Sequence, residues 1–307
     1  MWRYVLRRLV LAIPVLFGVS LGVFLMADLV PGDPATVLAG DTASPDTIAR
    51  LRDELGLDQP APVRYWKFLE RLVIHGSLGL STRTHREVLV EVWDRLPYTL
   101  ELALGAVVLS TVVGVAFGVL AAMRRGHRTD YAITGVAAFA LSIPSFLIAL
   151  LMVMLFSLTL HWLPVAGADS WRHLVLPTIA LALHSAAVKA RITRSSMLEV
   201  LNQDYLRTAR AKGLRERVVV WRHALKNALI PITTIIGLQF GSLLGGAYII
   251  ENIFGWPGIG RLATQAVFNR DFPIVQGTVL LGALVYFAAN LIVDLLYAWL
   301  DPRIRYA

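Results

Sequence analysis

The residues able to do chemistry form one dense group and a few isolated ones. The dense group runs Tyr205-Leu206-Arg207-Thr208-Ala209-Arg210-Ala211-Lys212-Gly213 and continues as His223-Ala224-Leu225-Lys226-Asn227-Ala228-Leu229-Ile230-Pro231. It is polar, basic and helical in character, one glycine breaks it, and very apolar stretches flank it. It reads as a docking site on which a soluble partner can push. The isolated residues are Glu101, His184, Lys189 and Asp294, each within or beside an apolar run. An ion-coupled carrier is expected to bury carboxylates or histidines near the middle of the membrane. Asp294 shares a face with Asn290 but sits near the end of its run, and reads as a structural contact of Arg303 or Arg305. His184 reads as a satisfied interhelical hydrogen-bonder. His161, Asp169 and His173 are the loose candidates for a catalytic cluster. No Walker-type G-x-x-x-x-G-K-[ST], H-E-x-x-H or G-x-S-x-G occurs. The absence of cysteine removes disulfide, thiolate and Cys-metal chemistry. No catalytic, cofactor-binding or metal-ligating residue is therefore expected.

The elements that hold these residues must live in lipid. Of 307 residues, 56% are hydrophobic and 16% charged, with mean hydropathy +0.62, against about a quarter charged in soluble domains. A helix crosses a bilayer core in roughly 20 residues. Six runs qualify, near 9–30, 98–122, 131–160, 174–190, 228–252 and 276–300. Pro177, His184 and Lys189 weaken the fourth, and Pro144 predicts a kink or tilt in the third. The first follows Arg7-Arg8 but is too long for a signal-peptide core and lacks a small-residue cleavage site, so it reads as a retained span. The expected fold is all-α and polytopic, with six transmembrane helices.

Charge sets the orientation. With the N-terminus inside, the inner segments carry 18 Lys and Arg in 62 residues, and the two short outer segments carry three in 36. Short loops decide topology, so both termini are expected in the cytosol. The division is 1–30 for the N-terminus and first span, 31–97 for an extracytoplasmic amphipathic helical region, 98–300 for a five-helix core containing a cytosolic loop 191–227, and 301–307 for a cytosolic tail. Within 31–97, Pro31-Gly32-Asp33-Pro34 reads as a turn, and Ser44-Pro45-Asp46 to Gly56 as a capped helix. Tyr65–Leu72 and a stretch from Arg86 towards Pro97 read as further amphipathic runs. This region is either a platform for a partner or a cap of helices lying on the membrane surface. Gly237, Gly241 and Gly245 recur at spacing four, as do Gly114 and Gly118, which suits close helix packing.

The block Arg207–Pro231 resembles the cytoplasmic "EAA" loop of ABC importer permeases. The fit is closest to those that import dipeptides and oligopeptides, a group that includes nickel, glutathione and haem-related systems. The likeness extends over Leu96-Pro97-Tyr98-Thr99-Leu100-Glu101-Leu102, Ser142-Ile143-Pro144-Ser145-Phe146, Ile250–Gly260 and the ending Asp301–Tyr306. It implies a permease subunit in the bacterial plasma (inner) membrane. It also implies a second homologous permease, two P-loop ATPases that carry the ATP and Mg, and an extracytoplasmic solute-binding protein. The coupling role falls on Thr208, Ala209 and Gly213, with Tyr205, Arg207, Arg210, Lys212 and Arg215 around them. Glu251, Trp256, Pro257, Gly258 and Arg261 would face the delivery protein or the outer mouth, or form an ordinary outer-end stop. The sequence departs from the general motif at Arg207, where a glutamate is usual, at Thr208, where an alanine is usual, and in the position of Pro231. Two other readings stay open: a self-sufficient secondary transporter or channel, and a basic loop lying on anionic lipid.

Overall fold

In the computed structural model, residues 2–29, 34–39 and 43–300 are described, and the expected turn at Pro31–Asp33 and the tail 301–307 lie outside them. The described residues form helices α1 (Trp2–Leu29), α2 (Pro34–Ala39), α3 (Pro45–Leu55), α4 (Ala61–Ile74), α5 (Val88–Met123), α6 (Arg128–Ser142) and α7 (Ser145–Met152). They continue as α8 (Trp171–Leu201), α9 (Asp204–Ala211), α10 (Glu216–Val218), α11 (Leu225–Ile253), α12 (Ile259–Phe268) and α13 (Phe272–Leu300). Wider π-turns extend α7 through Val153–Thr159 and join α10 to α11 through Val219–Ala224. Among the described residues there is no β-strand, only an isolated bridge between Leu80 and Glu87. Among the described residues, five helices are long and apolar enough to cross a membrane, and six when the bent pair α6–α7 counts as one span. The protein is an all-α polytopic membrane protein.

The chain divides into two compact units, Met1–Tyr98 with Pro257–Ala288, and Thr99–Trp256 with Ala289–Ala307. In the first, α3 begins and ends as its sequence dictates. The Ser44 side chain accepts from the Thr47 amide, Pro45 opens the helix, and Gly56 closes it at φ 64. The α4 rings Tyr65 and Phe68 pack on Phe24 of α1, and Tyr65 lies within hydrogen-bonding distance, 2.8 Å, of Ser20. Asp271, buried just ahead of α13, accepts from the Ser81 hydroxyl and the Thr82 amide. Gly277 then lies so close to Val88 that a Cβ would clash with it.

In the second unit the core sits where α5, α7, α8 and α11 meet, around Leu102, Ala106, Ala149, Leu176, Ala180 and Ile250. The approach of α5 to α8 is set by two glycines. A Cβ at Gly114 would stand 2.8 Å from the Ala186 carbonyl oxygen, and one at Gly118 would stand 2.6 Å from that of Ala190. Backbone against backbone leaves no side chain to move aside. Lys189 is sealed at this contact, fully buried, and its Nζ donates to Ser110 Oγ at 2.7 Å. At the far end, Arg194 of α8 grips Asp130 in the first turn of α6 with two hydrogen bonds of 2.6 and 2.7 Å.

Three expectations need correction. The stretch from Arg86 to Pro97 is not a separate surface helix, because α5 runs unbroken through an exposed Pro97 for 36 residues. At 1.5 Å per residue that is about 54 Å, well beyond a bilayer core. The fourth span is the least apolar of the long helices, as its polar residues lead one to expect, but α8 has 31 residues, outruns the expected 174–190 and absorbs the start of the loop placed at 191–227. Its Pro177 lies beyond the first turn yet is buried in the core. The third span does not merely tilt. Ile143, forced to extended geometry ahead of Pro144, breaks it into α6 and α7 bent by 102°.

The two glycine contacts generate a test. Gly118→Val should destabilise the chain by about 3 kcal/mol through overpacking against fixed backbone. Gly245→Ala, at a position with nothing within 4 Å, should leave thermal inactivation in detergent unchanged. Equal inactivation temperatures for Gly118→Val and wild type would show that the α5–α8 contact yields freely.

Candidate coupling surface

Helix α9 is an eight-residue amphipathic segment with one buried residue, Leu206. Leu206 inserts into a cluster of Val119 and Ala122 from α5, Met197 from α8, Val219, Val220 and Ala224 from the π-turn, and Leu225 and Ala228 from α11. A helix this short is marginal by itself. Burying its leucine in the feet of three long helices is what holds it. Tyr205, Arg207, Thr208, Arg210, Lys212, Gly213 and Arg215 are all exposed. Ala209 is half-buried and packs against the Leu206 cluster. It therefore serves partly as a foot of α9, where the sequence suggested a free docking contact.

The exposed face is ordered by its own bonds. Arg210 clasps Glu216 with hydrogen bonds of 3.1 and 2.9 Å, closing the turn between α9 and α10. Those bonds push the Arg210 guanidinium further up from its ordinary value. Asn227 donates to the Tyr205 hydroxyl at 2.7 Å, tying α9 to the start of α11. Arg207 lies 3.4 Å from Asp204, with both side chains largely in solvent, so that pair is worth little. The turn itself depends on Gly213 at φ +77. No atom lies within 4 Å of where its Cβ would be, so backbone conformation alone demands glycine there. The Gly213 amide donates to the Arg210 carbonyl at 2.9 Å and the Lys212 amide to that of Thr208 at 3.0 Å. The result is a rigid, cationic knob projecting from a packed base.

The second expected group is not gathered on one surface. Glu251 is fully buried within α11 and accepts from Thr99 Oγ1 at 2.6 Å. Trp256 is buried too, its amide donating to the Glu251 carbonyl at 2.8 Å. These two are interior props, because a carboxylate at the end of a span needs a partner away from lipid. Pro257, Gly258 and Arg261 belong to the other compact unit and line a small cleft with Arg95 and Gln265. Of the packing glycines, Gly237 and Gly241 are buried while Gly245 is exposed. His184 is exposed and makes no hydrogen bond among the described residues, so it is not the satisfied interhelical residue expected. The side chain of Asp294 lies outside those described. His173 caps α8, with Nδ1 at 3.0 Å from Ser170 Oγ. No group of three or more His, Asp or Glu able to hold a metal occurs among the described residues.

Sequence reasoning missed Leu206, Asp130 and Ser110. Leu206 could have been found as the one large apolar residue in a run of polar ones. Ser110 and Asp130 gave no signal, since their partners Lys189 and Arg194 are 79 and 64 residues away.

The described residues thus combine an all-α polytopic fold with an exposed basic helix on a packed base. The pattern described as "Binding-protein-dependent transport system inner membrane component" matches residues 114–306, and its N-terminal companion matches residues 1–103. The chain belongs to this family and is a permease subunit of an ABC importer, an inner-membrane component. It is 45% identical over 306 residues to the glutathione transport system permease protein GsiC of Escherichia coli O6:H1, covering 100% of each chain. The same protein of Salmonella paratyphi A is also 45% identical over 306 residues, again across 100% of both chains. Two solved structures share the fold. One, the MetNI methionine ABC transporter in inward-facing conformations, has TM-score 0.55 and 17% identity, over 68% of this chain and 96% of that one. The other, an amino acid ABC transporter with histidines, has TM-score 0.52 and 20% identity, over 69% of this chain and 94% of that one. Membership implies ATPase and binding-protein partners and a second permease, and such permeases are generally non-catalytic.

Leu206→Ala should loosen α9 by about 2–5 kcal/mol. Hydrogen exchange of the amides from Leu206 to Gly213 should then rise roughly thirtyfold or more, with α8 unchanged. Unaltered exchange would show that α9 is held by its polar contacts instead.

Proposed function

We propose that this chain forms half of the translocation pathway of an ATP-driven importer of small peptides, and that α9 is the helix on which a cytosolic ATPase docks. The observation that carries this reading is the exposed, basic α9 anchored by Leu206 and stopped by Gly213. A push on α9 passes through Leu206 to α5, α8 and α11 together, because all three contribute to its socket. The cationic face suits an acidic rim on the ATPase. ATP and Mg are held by the two ATPases, and this chain carries no cofactor. ATPase closure moves α9, the spans rock to open the path outward, and hydrolysis returns it to the inward-facing state.

The excess of Lys and Arg on one side supports a cytosolic place for α9 and both termini. Pro257, Gly258 and Arg261 then lie on the outer side, where the delivery protein releases solute, and Glu251 and Trp256 brace the end of α11. Full-length relatives that carry glutathione, a tripeptide derivative, support a dipeptide, oligopeptide or glutathione-like solute.

Gentle solubilisation followed by mass spectrometry should recover two P-loop ATPases, a second permease and an extracytoplasmic binding protein with this chain. Recovery of the chain alone, active on an ion gradient, would overturn the reading. In the assembled importer, Gly213→Val forces about 1–3 kcal/mol of backbone strain on the turn. Uptake should fall at least tenfold with the amount of chain in the membrane unchanged, and normal uptake would remove α9 from the coupling path.

A further inference from the structure

Ser142-Ile143-Pro144-Ser145 interrupts the third span close to its middle. Arg128–Ser142 supplies 15 residues before the break, and Ser145–Met152 with Val153–Thr159 supplies 8 and 7 after it. The neighbouring helices place polar residues at the same relative height. His184 stands 13 residues from the start of α8 and 17 from its end. Gln239 stands 14 residues from either end of α11. Ser142, Ser145, His184, Ser185, Gln239 and Ser242 line one cleft of about 480 Å³, and no Asp, Glu, Lys or Arg lines it.

The hydrogen-bond inventory says what this cleft can offer. Buried Ser185 donates to Gln239 Oε1, which leaves the Gln239 amide hydrogens for another acceptor. Ser142 donates to the Ala138 carbonyl and Ser242 to that of Gln239, so each hydroxyl keeps its acceptor lone pairs. His184 has no hydrogen-bond partner among the described residues, and Ser142, His184 and Ser242 are exposed on the chain. Polar groups and broken backbone at mid-membrane are tolerated only where they are buried in protein or line a water-filled path. Lipid would leave each unpaired group costing several kcal/mol.

We infer that the cleft at the break of the third span is a solute-contact site on the translocation path, and that it takes a small peptide by hydrogen bonds to its amide groups. Each peptide amide brings one donor and one acceptor. The cleft answers with Gln239 Nε2 as donor and the Ser142 and Ser242 oxygens as acceptors, while the imidazole of His184 can serve either way. With no formally charged carboxylate, ammonium or guanidinium in the lining, recognition here is by hydrogen bonding and not by ion pairs. This inference rests on the importer reading above.

The test uses the assembled importer in proteoliposomes, with a tripeptide as solute and its delivery protein saturated. Gln239→Leu and His184→Leu should each cut ATP-dependent uptake tenfold or more, and Gln239→Asn and His184→Asn should recover at least half. ATPase stimulation by the loaded delivery protein should stay within twofold throughout, which a merely structural loss would not permit. Wild-type uptake by both leucine variants, or a parallel fall of ATPase stimulation and uptake, would overturn the inference while leaving the importer reading intact. Wild-type vesicles that show no ATP-dependent uptake would sink both.

Discussion

Gly114 and Gly118 leave α5 and α8 so close that the side chain of any other residue would strike the carbonyl oxygens of Ala186 and Ala190. In lipid, apolar side chains gain nothing from facing each other instead of the acyl chains, so association rests on close packing and on hydrogen bonds. This contact supplies both. The two backbones lie within van der Waals reach, and Lys189 crosses the interface to Ser110. The core around Leu102, Ala106, Leu176 and Ala180 closes along the same pair. Beyond the glycines, Val119 and Ala122 of α5 and Met197 of α8 form part of the socket for Leu206. The position of α9 thus depends on a glycine contact that begins within about two turns of its socket.

That continuity gives the exposed helix its mechanical meaning. An isolated eight-residue helix on a basic loop would bend before it transmitted anything. Here α9 is tied at three places: Leu206 into the socket, Tyr205 to Asn227 at the start of α11, and Arg210 to Glu216 across the turn. The exposed Arg210–Glu216 pair adds little free energy, but it fixes geometry around a glycine that would otherwise leave the turn loose. Arg194 and Asp130 extend the linkage to α6, since two short hydrogen bonds join α8 to the first turn of that helix. Asp130 also lies near the positive end of the α6 dipole. Removing Arg194 would strand the enclosed Asp130 carboxylate, whereas the part-exposed Arg194 would lose less from removal of Asp130. A displacement of α9 is therefore shared by α5, α8 and α11 directly and reaches α6 through α8.

Local signals in the sequence carried further than long-range ones. Ser44, Pro45 and Gly56 told where α3 starts and ends because caps are decided within four residues. Gly213 told of a break in the basic block for the same reason, and the Gly114/Gly118 spacing told of a close helix contact though not of its partner. Prolines misled in both directions. Pro97 looked like a boundary and Pro177 like a weakness, yet both sit inside continuous helices. Pro144 told of a kink or tilt, and the span proved bent by 102°. The residue type fixes only the lost amide and the clash one turn back. Whether the chain bends further depends on packing that a single sequence does not display. The half-buried Ala209 and the buried Glu251 and Trp256 belong to the same class: their identity suggested a surface role, and only tertiary contacts turned them inward.

The placement of charge also bears on where the driving force enters. A residue that relays protons or ions through a membrane must reach water on each side during its cycle. Lys189, the cation at the heart of the second unit, has no exposed surface, is covered by the α5 backbone at Gly114, and spends a hydrogen bond on Ser110. Asp130 and Arg194 neutralise each other, and Glu251 is held by Thr99. Each of these charges is bonded to a neighbouring helix, in the manner of a rivet, and losing any of these bonds would remove a contact between helices. The cleft at the third-span break, by contrast, sets hydroxyl, imidazole and amide groups among apolar side chains with no formally charged lining group, which suits passage of a hydrogen-bonding solute and offers no carboxylate to load with an ion. In the proposed importer, work delivered at α9 from outside the chain and a path that contributes only recognition would be two sides of one division of labour. The buried charges make that division possible by keeping the lever stiff.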